Sequence, residues 1–352
     1  MRASAAALVF LAHLRIILLP PYDALPPSDQ SALSLAFYLI SRPAHSAVLV
    51  FFVLSGHLVL GRIISRLRAD TFNLTTYSVD RVTRIVLPLL PALLLTKIVA
   101  DSLEIPFTFS SIVLHAVGLN EVIVDTTRAN PPLWSLAYEI WFYILGGAVA
   151  LLVGRRYVLQ GIAILACIII VFSILNASYL LFWIFGGITV SVLPFRFNGQ
   201  AVIGCALAAV GFILAELSSP GAPWTSAIQW HSLFNGLLCV GLGLALPRLA
   251  EIRIRQRAVI FLATAGSAVS YSMYVVHYPF LLLVAAYVVT PVTTLSTANV
   301  LQLLLAATIC ILACLAFYFC TEKWTTLLRR TIAERMRAGS TPGLARSDVG
   351  KP

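Results

Sequence analysis

Long apolar runs dominate the chain, separated by short polar stretches. Ten of them, at residues 3–20, 44–62, 84–101, 136–154, 157–176, 178–194, 200–217, 230–247, 265–290 and 299–320, extend over ~17–25 residues with few charges. That length as a helix spans ~30 Å of hydrocarbon, so the pattern predicts an all-α, polytopic membrane protein of about ten transmembrane helices. His13 and Arg15 interrupt the first run, and residues 16–22 offer no small-residue cleavage site, which excludes a secretory signal. Two connections stand out. Residues 21–43 are rich in proline, and 102–133 form the longest loop, in which Phe107 to Leu119 is apolar but too short to span and is expected at the interface or re-entering between helices. No internal repeat and no second soluble domain is visible, and the chain divides into a membrane domain (1–325) and a basic tail (326–352), read as a short amphipathic segment followed by a disordered end.

Composition agrees with lipid as the solvent: of 352 residues 60% are hydrophobic and 11% charged, with a mean hydropathy of +0.93. A net charge of +10 raises the question of nucleic acid, but its distribution answers it. With the amino terminus placed inside, all 24 Lys and Arg residues except Arg15, Arg42, Lys97 and Arg128 fall on that face, including Arg155, Arg156, Arg196, Arg253 and the tail to Lys351. The basic excess is therefore positive-inside patterning rather than a nucleic-acid footprint. Both termini are predicted to be cytoplasmic, which requires an even number of spans. All six cysteines lie in predicted spans with no C-x-x-C pair, which reads as core packing, and no metal site is expected.

Against that apolar background a few polar residues carry chemistry. Arg2 and His13 are almost three helical turns apart, so both point the same way while ~16 Å separates their depths. A histidine near the bilayer midplane faces a cavity or a partner, and spacing alone allows either a reactive imidazole or a neutral one bonded inside the bundle. Arg81 and Arg84 share a helix face ahead of Pro88; two forked cations suit phosphate oxygens, and plain positive-inside anchoring fits as well. In the run from Trp134 to Tyr143, Ser135 and Glu139 face one way, and a carboxylate just inside a span is a functional candidate unless Lys97 or Arg15 pairs with it. Ser270, Tyr274 and His277 form one polar stripe, with His277 about as deep as His13, so the two imidazoles are expected to line one cavity, and Pro279 can open the helix locally. The run Phe51 to Gly56 reads as close helix packing rather than as a nucleophilic site at Ser55. His45, His57, His115 and His231 carry no assigned role.

Taken together, the Arg2–His13 pair, the FFVLSG run from Phe51, the Arg81–Arg84 pair, the WSLAYEIWFY run from Trp134 and SYSMYVVHYPF from Ser270 resemble acyltransferase family three, and the resemblance spans most of the chain. Its members O-acetylate bacterial surface and exported polysaccharides, Nod factors and some macrolides. They carry further residues ahead of the first Arg where Met1 stands here, as expected if the start is truncated or misassigned. The resemblance implies a multi-pass protein of the bacterial inner membrane. It implies no permanently bound cofactor, an acyl-CoA donor (acetyl-CoA first) on the cytoplasmic side, and a saccharide, lipid-linked glycan or other hydroxyl acceptor. Arg2, Arg81 and Arg84 are then expected to hold the donor's phosphates, His13, Glu139 and His277 to form the catalytic group, and Trp134, Ser135 and Tyr274 to meet substrate. A proton-coupled transporter or flippase of a glycan or small metabolite is the competing class, since buried His and Glu suit it too.

Overall fold

The computed structural model describes residues 1–155, 157–191, 198–218, 228–252, 255–290 and 292–338; Arg156, Arg196, Arg253 and the tail beyond 338 lie outside the described residues. Fourteen α-helices and three short 3-10 turns account for the described chain, with no strand among them. The helices are α1 (Arg2–Leu18), α2 (Ala32–Ile40), α3 (Ala44–Arg68), α4 (Leu74–Arg84), α5 (Val86–Ser102), α6 (Phe109–Ala116), α7 (Trp134–Val153), α8 (Val158–Ile174), α9 (Ala177–Ser191), α10 (Gln200–Leu217), α11 (Ile228–Leu249), α12 (Arg257–Tyr287), α13 (Thr297–Cys320) and α14 (Glu322–Ala338). Among the described residues eight segments are long and apolar enough to cross a membrane, and the apolar α8 and α9 are shorter. Leu94, Ile98, Ile169, Ile170, Ile213, Leu301, Leu304 and Leu312 are exposed. Apolar side chains on the outside of an apolar bundle are what lipid contact requires.

The expected spans fall on α1, α3, α5 and α7 to α13, and the departures have local causes. The third run was expected to begin at residue 84, but α4 ends there and α5 starts anew. Pro88 cannot donate to the Arg84 carbonyl and its ring crowds it, so the chain breaks at Ile85 (φ −112°, ψ −59°). The Ile85 carbonyl accepts from the Tyr271 hydroxyl at 2.9 Å, which ties the break to α12. α2 forms inside the proline-rich loop, where Ser31 and Ser34 exchange side-chain and backbone bonds in a capping box. α6 occupies the short apolar part of the long loop, its start capped by the Thr108 side chain on the Ser111 N–H. α14 is helical to Ala338 and packs on α4. Cys239, Cys310 and Cys314 are buried, but Cys167, Cys205 and Cys320 are exposed, so core packing describes half of the cysteines and the rest sit on outward faces.

One continuous core joins α1, α3, α5, α7, α9 and α12. α3 and α9 approach closely. A Cβ on Gly56 would stand 1.9 Å from the Trp183 carbonyl oxygen, and one on Gly186 would stand 2.3 Å from that of Val53, so only glycine lets these backbones touch. Ser55 lies in the same seam, buried, accepting from the Trp183 indole N–H at 3.2 Å. The FFVLSG run thus lies at a close helix contact. α12 stays helical through Pro279, which has no N–H for the Val275 carbonyl. Asn130 supplies the missing donor, its Nδ2 reaching that carbonyl at 2.8 Å and Thr96 Oγ1 at 3.1 Å. The end of the long loop is thereby stitched to α12 and α5.

Candidate active site

Two features meet where α1, α7 and α12 converge. The first is a pair of imidazoles: His13 Nδ1 and His277 Nε2 are 3.0 Å apart, with ring centroids 5.1 Å apart. Their proton arrangement follows from the other bonds. His277 Nδ1 faces the Met273 carbonyl at 2.8 Å and the Tyr274 carbonyl at 2.9 Å. Carbonyls only accept, so Nδ1 carries the proton. In a neutral ring Nε2 is then a bare acceptor, and His13 Nδ1 must be the donor across the 3.0 Å contact. His13 Nε2 is left with its lone pair. His277 is 1% exposed, and the rings of Phe10 and Tyr278 stand edge-on to the pair. Desolvation and two carbonyls therefore hold one tautomer, which aims a basic nitrogen from α1.

The second feature is a cavity of about 90 Å³, lined by Arg2 of α1, Arg84 of α4, Glu139 and Ser135 of α7, Ser270, Tyr271 and Tyr274 of α12, Glu322 at the start of α14 and the rings of Phe51 and Phe52. Tyr274 joins cavity and histidines: it lines the one and lies a turn from His277, ring centroids 6.2 Å apart. Its hydroxyl lies 3.0 Å from the Pro132 carbonyl and 2.6 Å from Ser135 Oγ, which lies 3.3 Å from the same carbonyl, so the two hydroxyls and that carbonyl form one hydrogen-bonded triangle. Glu139 accepts from the Tyr143 hydroxyl at 2.5 Å. Neither sequence-suggested counterion reaches it. Lys97 bonds Asp101 at 2.5 Å, and the Arg15 guanidinium lies 5.4 Å from the Tyr38 ring centroid.

The arrangement unites Arg2, Arg84, Ser135, Glu139 and Tyr274 around one space and brings His13 and His277 into contact beside it. It separates two others from that space. Arg81 pairs with Asp80, lies over the rings of Tyr77 and Tyr143, and lines an adjoining groove between α4 and α7. Trp134 stacks on His45 at 6.1 Å and 14°. His45 in turn bonds the Tyr179 hydroxyl at 2.9 Å and lies 5.7 Å from His231, so these histidines belong to an aromatic cluster of their own. Glu322 was missed by sequence reasoning: its Oε2 accepts from the Ser272 N–H at 3.1 Å and Oγ–H at 2.6 Å, at the cavity wall. Its one legible signal is an acid opening an otherwise basic amphipathic segment. Asn130 was missed as well, because only the pairing of Pro279 with a freed carbonyl explains it.

Fold and site define the class as a helical membrane protein with an internal polar cavity beside a hydrogen-bonded histidine pair. Residues 1–319 match the acyltransferase family 3 model, described as an acyltransferase domain, and the chain belongs to that family. It is thus a membrane acyltransferase. No curated protein and no solved structure matches it.

Proposed function

We propose that the protein is an O-acyltransferase of the cytoplasmic membrane that moves an acyl group, acetyl first among candidates, from acyl-CoA to a hydroxyl of a saccharide or similar acceptor. The observation that carries this reading is the 3.0 Å contact between His13 Nδ1 and His277 Nε2, with His277 Nδ1 bound to two carbonyls. It leaves His13 Nε2 as a neutral base, the form needed to take a hydroxyl proton near neutral pH. In the proposed step the acceptor oxygen attacks the thioester carbonyl as its proton passes to His13 Nε2. The C–O bond forms, the C–S bond breaks, and the imidazolium returns the proton to the departing CoA thiolate. His277 holds the ring of His13 and shares the charge that develops on it.

Donor binding follows from the charges. Arg2 and Arg84 converge on the cavity from two helices, and guanidinium forks match phosphate oxygens. Arg81, in the adjoining groove, would meet the more distant phosphates. Glu139 and Glu322 set a limit on that anion's position, because a phosphate against either carboxylate is repelled. Ser135 and Tyr274 supply the hydroxyls nearest the histidines for orienting the acyl group or the acceptor.

Steady-state kinetics test these roles separately. Arg84→Gln is expected to raise KM for acyl-CoA about 10- to 150-fold with little change in kcat, as loss of a charge-assisted phosphate bond of ~1.5–3 kcal/mol implies. An unchanged KM in Arg2→Gln and Arg84→Gln together would remove the cavity as the donor site.

A further inference from the structure

A second large groove lies on the other side of α1, away from the histidines. It offers about 560 Å³ between α1, α2 and α13, within the ~300–1,000 Å³ of ordinary small-molecule pockets. Its walls are apolar, with Phe10, Leu14, Phe37, Leu303 and Leu304 among them, and two charged residues interrupt them: Arg15 and Asp29. Arg15 Nε is buried with no hydrogen-bond partner, and Arg15 makes no ion pair among the described residues. The charged neighbour that acts on it most is Arg42, a like charge, itself facing Glu216 at 3.8 Å. The Tyr38 ring faces the guanidinium at 5.4 Å but carries no negative charge, and a guanidinium within a span is costly unless an anion joins it. Arg15 stands three residues from the end of α1 at Leu18, so it lies ~5 Å inside that end and only ~3 Å from the depth of His13. Asp29 is fixed at the groove by the Leu295 N–H, which donates to its Oδ2 at 2.8 Å. Its Oδ1 has no hydrogen bond among the described residues.

We propose that this groove holds one zwitterionic phospholipid with a primary-ammonium headgroup: phosphate on Arg15, ammonium on Asp29 and acyl chains along α1 and α13. Charge complementarity chooses the occupant. A lipid with a purely anionic head satisfies Arg15 but sets negative charge against Asp29, and a neutral lipid leaves Arg15 unpaired. Phe10 lines the groove and stands edge-on to His277, so an occupied groove buttresses the helix that carries His13.

The test is lipid retention, independent of any acyltransfer. The full-length protein purified in mild detergent is analysed by native mass spectrometry and lipid extraction, and then returned to nanodiscs of phosphatidylethanolamine or of phosphatidylglycerol. Wild type is expected to keep about one phosphatidylethanolamine per chain and to melt higher in phosphatidylethanolamine. Arg15→Ala and Asp29→Asn should each cut retention at least tenfold and abolish that preference, with Leu304→Trp, which fills the groove without touching charge, doing the same. Equal retention in Arg15→Ala and wild type, or a polyprenyl phosphate or phosphatidylglycerol in place of phosphatidylethanolamine, overturns the proposal. A monodisperse elution profile for each variant separates loss of the lipid from loss of the fold.

Discussion

At the residue scale the site rests on proton bookkeeping around two imidazoles. Because two carbonyls fix the proton on His277 Nδ1, His277→Gln removes the ring nitrogen that accepts from His13 Nδ1 and leaves His13 with its bond to the Val9 backbone. Its kcat is expected to fall about 10- to 100-fold, the range seen when a partner that orients a working imidazole is lost, with KM for acyl-CoA little changed. Tyr274→Phe leaves the ring but removes the hydroxyl's two bonds, while Ser135 keeps the Pro132 carbonyl at 3.3 Å. It should cost ~0.5–1.5 kcal/mol of stability, read as a lower Tm. Much of this was legible in sequence: helical spacing alone set Ser270, Tyr274 and His277 on one stripe and matched the depth of His13. What spacing does not carry is which helices are neighbours. Trp134 was therefore grouped with Ser135 and Glu139, although one residue of helix rotation, about 100°, turns it to the His45 cluster instead. Arg81 was grouped with Arg84 by the same i, i+3 logic, yet the adjacent Asp80 carboxylate and two tyrosine rings hold it in a separate groove.

At the element scale, glycine contacts and loop stitching hold the helices around the site. Gly56→Ala would drive a methyl against the Trp183 backbone and should cost ~1–3 kcal/mol, lowering Tm by several degrees. Gly236→Ala, whose Cβ meets Phe182 at an ordinary 3.8 Å, is expected to be neutral. The loop after α6 has a pH dependence of its own. His115 is buried; its Nδ1 donates to the Ser111 carbonyl at 2.7 Å and its Nε2 accepts from the Thr127 N–H at 3.4 Å. Burial lowers its pKa from 6.5. The unfolded loop thus binds the proton more readily, and the His115 contribution is present above pH 6.5 and is lost as pH falls through the lowered value. Protection factors across 109–133, which remove the intrinsic pH dependence of exchange, should fall on acidification in wild type and show no such step in His115→Gln. Apolar run length made the spanning elements legible, but not α2 or the split of α4 from α5. Those depend on a capping box and on a proline whose effect is felt four residues upstream.

At the scale of the whole molecule, lipid as the solvent explains the apolar exterior, and the sidedness of Lys and Arg sets the expected orientation. Reporter fusions at residue 1 and after residue 338 should both signal the cytoplasmic side; opposite signals would overturn the even number of crossings. The family match fixes acyltransfer as the chemistry class, and the donor and acceptor follow from the proposed reading of the cavity. One measurement bears on that reading most directly: transfer of radiolabel from acetyl-CoA in membranes holding equal amounts of wild type or His13→Ala. The account predicts labelled glycan or other acceptor with wild type and a loss of about 10²–10⁴-fold in the variant. Equal labelling by the two would contradict His13 as the base, and no transfer from any acyl-CoA, with protein inserted and acceptor present, would contradict the donor itself.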